Sequence, residues 1–93
     1  MENNIRFEAY ISGIVQGVGF RYHTRRKAIS LGVKGYTKNL PDGSVYVVAE
    51  GYESDVRLFL TWLYDGPDYA RVDDVKVEYT TYKNEFTTFD IRF

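Results

Sequence analysis

The chain has 93 residues, a net charge of -1 at pH 7, no Cys and a single His. This length predicts one domain over residues 1–93, and the lack of Cys excludes disulfides and Cys-based metal sites. The near-neutral charge argues against a general nucleic-acid binder, which usually carries a strong basic excess.

The first predicted elements are a strand, a glycine-rich loop and a helix. Apolar and polar residues alternate over residues 5–12, which is the period of a half-buried strand. Three glycines then interrupt the alternation and predict a loop: Gly13, Gly17 and Gly19. Helical spacing next groups four residues on one face: Phe20, Thr24, Ala28 and Leu31. Gly32 follows, where a helix C-terminus favours a left-handed residue.

A hairpin is predicted after the first helix. Residues 33–39 have the pattern of a second strand, and residues 45–50 that of a third strand ended by Gly51. Between them, Leu40-Pro41-Asp42-Gly43 predicts a turn. Pro presets its own φ, Asp bonds back to the backbone, and Gly tolerates a positive φ.

The remaining residues predict a second helix and two closing strands. Ser54 is the expected N-cap, and the apolar stripe of the helix is Val56, Phe59, Leu60 and Leu63. Gly66-Pro67 ends the helix. The closing strands contain alternating apolar residues: Val75, Val77 and Tyr79, then Phe89, Ile91 and Phe93.

The element order predicts the fold class. The order βαββαββ is that of an α+β, ferredoxin-like βαββαβ sandwich with an extra C-terminal strand. Only two amphipathic helices are available to cover the sheet. We therefore expect both helices on one face of a mainly antiparallel sheet.

The loop over residues 16–21 is a candidate anion site. Unpaired N–H groups point outward at a helix N-terminus, and glycines allow them to converge on one point. Arg21 adds a fork of donors that matches two phosphate oxygens. A basic run without acidic residues begins here: Arg21, Arg25, Arg26, Lys27, Lys34 and Lys38. These residues alone leave open a plain turn followed by a solvated helix face.

Two sequence motifs resemble those of the acylphosphatase family. Residues 13–21, Gly-Ile-Val-Gln-Gly-Val-Gly-Phe-Arg, match the first family signature, Gly-x-Val-Gln-Gly-Val-x-(Phe or Tyr)-Arg, at every fixed position. The spacing of the second signature is matched by Gly35-Tyr36-Thr37-Lys38-Asn39, Gly43, Val45 and Gly51. Thr37 departs from the usual Ala, Val or Cys, although its shape is close to that of Val. The resemblance extends over nearly the whole chain.

The resemblance implies an enzyme that hydrolyses acyl phosphates to a carboxylate and inorganic phosphate, without metal or cofactor. The backbone N–H donors for the phosphate would come from Gln16, Gly17, Val18, Gly19, Phe20 and Arg21. Arg21 would also bind the phosphoryl group through its side chain, and Asn39 would orient the attacking water. Without the resemblance, Asn39 reads as a turn former at a strand end. Phosphate or sulfate would bind as product or inhibitor.

Two rival functions share the same predicted fold. One is an RNA-binding module with aromatic residues on its sheet, and Lys34-Gly35-Tyr36 resembles the start of such a motif. Thr37 and Lys38 then break that motif. The other is a noncatalytic anion-binding domain. Acylphosphatase-like domains also stand at the front of larger carbamoyl-transfer maturation proteins, but the sequence stops at Phe93, which favours the free-standing enzyme.

Other residues and the expected location complete the predictions. His23 lies beyond the anion-facing turn, so we expect a structural or rim position. The acidic residues Asp65, Asp68, Asp73 and Asp74 fit no metal-binding spacing. No apolar run is long enough to cross a membrane, and Met1-Glu2-Asn3-Asn4 does not open a signal peptide. We expect a cytoplasmic monomer that binds a small-molecule acyl phosphate, but neither nucleic acid nor membrane.

Overall fold

The structure, a computed structural model, describes residues 3–93 as five strands and two helices. The elements are β1 Asn4–Ile14, α1 Phe20–Leu31, β2 Lys34–Asn39, β3 Val45–Tyr52, α2 Glu53–Asp65, β4 Arg71–Thr80 and β5 Phe89–Arg92. The strands form one sheet in the order β4-β1-β3-β2-β5. All neighbours are antiparallel except β2 and β5, which are parallel. This confirms the predicted α+β, ferredoxin-like arrangement.

The core lies between the sheet and the two helices. α1 packs on β2 and β5, and α2 packs on β1, β3 and β4. Alternate residues of β1 and β3 face the helices and are fully buried: Phe7, Ala9, Ile11, Val45, Val47 and Ala49. Phe59 of α2 contacts the rings of Phe7 and Phe89 at centroid distances of 6.3 and 5.6 Å. The apolar residues at alternate strand positions therefore pack against the apolar faces of the helices in a single core layer.

The opposite face of the sheet is crossed by the connection of residues 81–88 between β4 and β5. Glu50 of β3 is only 2% exposed. Its carboxylate accepts hydrogen bonds of 2.7–3.1 Å from the backbone N–H groups of Lys83, Asn84 and Glu85, which belong to this connection. The Arg6 guanidinium bonds to Glu50 at 3.3 Å and to Glu85 at 2.6 Å. Burial alone would lower the pKa of Arg6, but these carboxylates raise it overall. The buried Glu50 carboxylate thus holds the connection that leads to β5 against the sheet.

The start of α2 differs from the prediction. Ser54 is not the N-cap, because α2 begins at Glu53 and Tyr52 occupies the cap position. Nor does Gly51 end β3, which runs on to Tyr52 and leads directly into the helix. The Glu53 N–H donates to the Asn3 carbonyl at 2.9 Å. A neighbouring backbone carbonyl therefore satisfies the first donor of the helix, without a side-chain cap.

The other predicted boundaries agree closely with the structure. Gly32 has φ 71° at the end of α1, which is the left-handed cap that was expected. The Gly43 N–H donates to the Leu40 carbonyl at 3.1 Å, which closes the predicted turn. Within residues 3–93, neither helix is long and apolar enough to cross a membrane. Met1 and Glu2 lie outside the described residues. They are part of the N-terminal segment that is not expected to be a signal peptide.

We expect Glu50→Ala to lower the free energy of unfolding by about 3–5 kcal/mol, because it leaves the buried Arg6 charge without its buried partner. Denaturation by urea, followed by circular dichroism, measures the change. The matched control is Glu85→Ala, whose side chain is 44% exposed, with an expected loss of about 1 kcal/mol or less. Equal losses for the two variants would show that Glu50 does not anchor the crossover.

Candidate functional site

A cleft of about 210 Å³ opens beside the N-terminus of α1. Its walls are formed by Val15, Gly17, Gly19, Phe20, Arg21, Tyr22, Asn39, Ile91 and Phe93. The structure therefore brings Arg21 of α1 and Asn39 of β2 to the same cavity. Of the six loop residues predicted to bind phosphate, Gln16 and Val18 do not line it. Val18 instead packs against the hydrophobic core.

The glycine loop leads into α1 with two residues in the left-handed region. Gly17 has φ 76° and Gly19 has φ 75°, and Gly19 is the N-cap of the helix. These φ values favour glycine, since a Cβ disfavours the left-handed region. Among residues 3–93, no side chain caps α1, and its first turn contains no acidic residue. The helix end therefore keeps its donors and its positive dipole for an anion.

Arginines of α1 are held against β5. Arg21 donates from Nη1 to the Arg92 carbonyl at 3.3 Å, and its guanidinium lies 4.8 Å from the centre of the Phe93 ring. One turn later, Arg25 Nε donates to the Phe89 carbonyl at 3.2 Å. Most of the Arg21 donors are left for a ligand. Sequence reasoning did not predict that Phe93 and Arg92 would position this side chain.

Asn39 presents an unsatisfied acceptor at the end of β2. Its Oδ1 atom is buried and has no hydrogen-bond partner among residues 3–93. An unpaired buried acceptor costs roughly 1–3 kcal/mol, and such groups are uncommon in native proteins. The Asn39 side chain lines the cleft, but this oxygen has almost no surface that a water-sized molecule can touch.

The Gln16 side chain ties the loop to the turn that follows Asn39. Its Nε2 atom donates to the carbonyls of Leu40 and Ser44, each at 2.8 Å. Asp42 Oδ1 accepts the Ser44 N–H at 3.0 Å and the Ser44 hydroxyl, and these bonds lower the pKa of Asp42. Gln16 was expected to contribute a backbone donor. The structure shows in addition a side-chain tether between the two halves of the cleft.

The other candidate residues do not line the cleft. His23 is exposed and lines a separate groove. Asp73 forms a surface ion pair with Arg71 at 2.9 Å. In the part of the chain that the structure describes, no group of His, Cys, Asp or Glu side chains is arranged to hold a metal ion.

Comparison with known proteins gives a consistent result. The family model described as Acylphosphatase matches residues 7–91. A relative named acylphosphatase from Geobacter metallireducens is 45% identical over 93 residues, which is 100% of both chains. Another from Thermotoga maritima is 59% identical over 71 residues, covering 76% of this chain and 79% of the relative. The solved structure of an acylphosphatase from Coxiella burnetii superposes with TM-score 0.91 at 36% identity, covering 97% of this chain and 94% of that one.

We expect Gln16→Ala to weaken phosphate binding about tenfold and to lower the free energy of unfolding by about 1–3 kcal/mol, because two partly buried hydrogen bonds are lost. Calorimetric titration with inorganic phosphate and urea denaturation measure these changes. The control Ser44→Ala keeps the carbonyl that accepts from Gln16 and should change the phosphate affinity less than threefold. Equal weakening in both variants would contradict a specific tether.

Proposed function

This chain belongs to the acylphosphatase family, and on that premise we propose that its cleft at the N-terminus of α1 hydrolyses acyl phosphates with Arg21 and Asn39 as catalytic residues. The observation that carries this proposal is that both side chains line one cavity, at a helix end without a side-chain cap. The substrate class is a small-molecule acyl phosphate, and the products are a carboxylate and inorganic phosphate.

The leaving group explains why few catalytic groups are needed. The carboxylate that leaves an acyl phosphate has a conjugate-acid pKa of about 4, by analogy with Asp and Glu side chains. It departs as an anion at neutral pH, so no general acid has to protonate it. The catalytic demands that remain are to hold the phosphoryl group and to place a water molecule in line with the bond that breaks.

The loop and Arg21 meet the first of these demands. Phosphoryl transfer passes through a loose transition state whose charge lies on the equatorial oxygens. In the proposed complex, backbone N–H groups of residues 16–21 and the Arg21 guanidinium donate to these oxygens. The guanidinium and the helix dipole supply the positive charge, and the proposed reaction uses neither metal nor cofactor.

Asn39 meets the second demand in this mechanism. Its side-chain amide, which lines the cleft, forms a hydrogen bond with the attacking water. The water oxygen attacks phosphorus while the bond between phosphorus and the carboxylate oxygen breaks. A phosphate oxygen of the substrate takes the proton of the water. No side chain has to act as a strong base.

The proposal also includes inhibitors, oligomeric state, cellular location and binding partners. We propose that phosphate and sulfate bind the loop as product and inhibitor, and that the protein acts as a single-domain cytoplasmic monomer without a nucleic-acid or membrane partner. The noncatalytic anion-binding and RNA-binding alternatives gain no support from the relatives, which are named acylphosphatases.

We expect Arg21→Ala to lower kcat/KM for a synthetic acyl phosphate on the order of 10²–10³-fold, because it removes a donor aimed at the transferring phosphoryl group. Hydrolysis is followed spectroscopically with EDTA present. Arg57→Ala, which removes an exposed arginine of α2 paired with Glu53, is the matched control and should change the rate less than about threefold. Full activity of Arg21→Ala, or no turnover by the wild type with EDTA, would refute the mechanism.

We expect Asn39→Ala to lower kcat on the order of 10²-fold, because the water loses its in-line position. The inhibition constant of inorganic phosphate should stay within about threefold of the wild-type value, since the loop and Arg21 hold phosphate. Lys38→Ala is the control, because Lys38 precedes Asn39 on the opposite side of β2. A phosphate inhibition constant that rises in proportion to the loss of kcat would assign Asn39 to phosphate binding instead.

A further inference from the structure

A second groove lies between α1 and α2, apart from the catalytic cleft. It has a volume of about 270 Å³ and is lined by His23, Arg26, Lys27, Ser30 and Trp62. None of these residues lines the cleft that contains Arg21 and Asn39. It is a shallow groove that is largely open to solvent. We call this feature the basic groove.

The positive charge of the basic groove is not neutralised within the described protein. Among residues 3–93, the ion pairs involve Arg6, Arg57 and Arg71, and none involves His23, Arg26 or Lys27. The Arg26 guanidinium contacts only an aromatic ring, that of Tyr22, at 5.7 Å from its centre. The protein as a whole has a net charge of -1. The groove is therefore a local concentration of cations that favours an anionic ligand.

Trp62 adds an aromatic surface beside these cations. Its ring packs on one side against Phe20 at a centroid distance of 6.3 Å, and it is only partly buried. Basic residues on a helix are often simply solvated, and alone they would identify no ligand. An aromatic ring next to them is the arrangement by which proteins hold a base and its phosphate, and base stacking contributes roughly 1–3 kcal/mol.

We propose that the basic groove is a second binding site, for a phosphorylated planar aromatic compound of nucleotide size. The aromatic ring of the ligand lies against Trp62, and the phosphate binds Arg26 and Lys27. Arginine and lysine are the side chains that proteins use for phosphate recognition. This site is distinct from the catalytic cleft, and its occupancy does not depend on the hydrolytic mechanism.

Tyr22 separates the two sites. It lines the catalytic cleft, while its ring contacts His23 at a centroid distance of 5.3 Å and Arg26 at 5.7 Å. Only the Tyr22 side chain therefore lies between a ligand in the basic groove and the cleft. The test must therefore distinguish binding in the groove from binding at Arg21.

Trp62 is the only tryptophan of the chain, so its fluorescence reports on the basic groove directly. Titration of the wild type with AMP should give saturable quenching, and adenosine, which lacks the phosphate, should bind at least tenfold more weakly. The double variant Arg26→Ala, Lys27→Ala should bind AMP at least tenfold more weakly than the wild type. Arg21→Ala, which removes the main side-chain donor of the cleft, should bind AMP as the wild type does. Lys76→Ala, a cation of β4 on another surface, is the matched control for charge.

Thermal unfolding of each variant confirms that it is folded before it is titrated. The proposal is overturned if AMP gives no saturable quenching, if adenosine binds as tightly as AMP, or if the double variant keeps its affinity. Loss of quenching in Arg21→Ala would also overturn it, because the nucleotide would then occupy the catalytic cleft. All of these titrations are made without acyl phosphate, so their outcome does not depend on whether the protein hydrolyses acyl phosphates.

Discussion

The buried carboxylate of Glu50 is the contact on which the far side of the cleft depends. β4 and β5 lie at opposite edges of the sheet, so the connection of residues 81–88 between them has to cross it. Glu50 holds residues 83–85 of that connection through backbone donors. β5 is thereby placed beside α1, where the Arg92 carbonyl and the Phe93 ring hold Arg21. A charge network on one face of the sheet thus helps to orient Arg21 on the other face.

Two tethers make a sparse site precise. Gln16 fixes the glycine loop to the turn after Asn39, and β5 fixes the direction of Arg21. The other phosphate donors that we propose are backbone N–H groups, which have no rotamers to order and are positioned as soon as α1 forms. A reaction with a weakly basic leaving group needs positioned donors rather than a strong acid or base. The rigidity of the scaffold therefore replaces a larger set of catalytic side chains.

Local patterns made most of the fold predictable from the sequence. The glycine loop, the Gly32 cap and the turn at residues 40–43 depend on φ preferences and periodicity within a few residues. The meeting of Arg21 and Asn39 was implied by two motifs, and the structure places both in one cleft. The long-range side-chain bonds were not predictable, since they join distant residues: Gln16 to Leu40 and Ser44, and Arg6 to Glu50 and Glu85. The Asn3 carbonyl, which replaced the expected Ser54 cap, is equally remote from α2 in sequence.

The contact between Arg21 and Arg92 joins residues that are 71 positions apart, and it has a consequence for how the enzyme becomes active. Loop and helix form from neighbouring residues, whereas the docking of β5 closes a long loop of chain and is entropically costly. During refolding, we therefore expect secondary structure to return before Arg21 is oriented. In the proposed mechanism, turnover would then recover later than secondary structure.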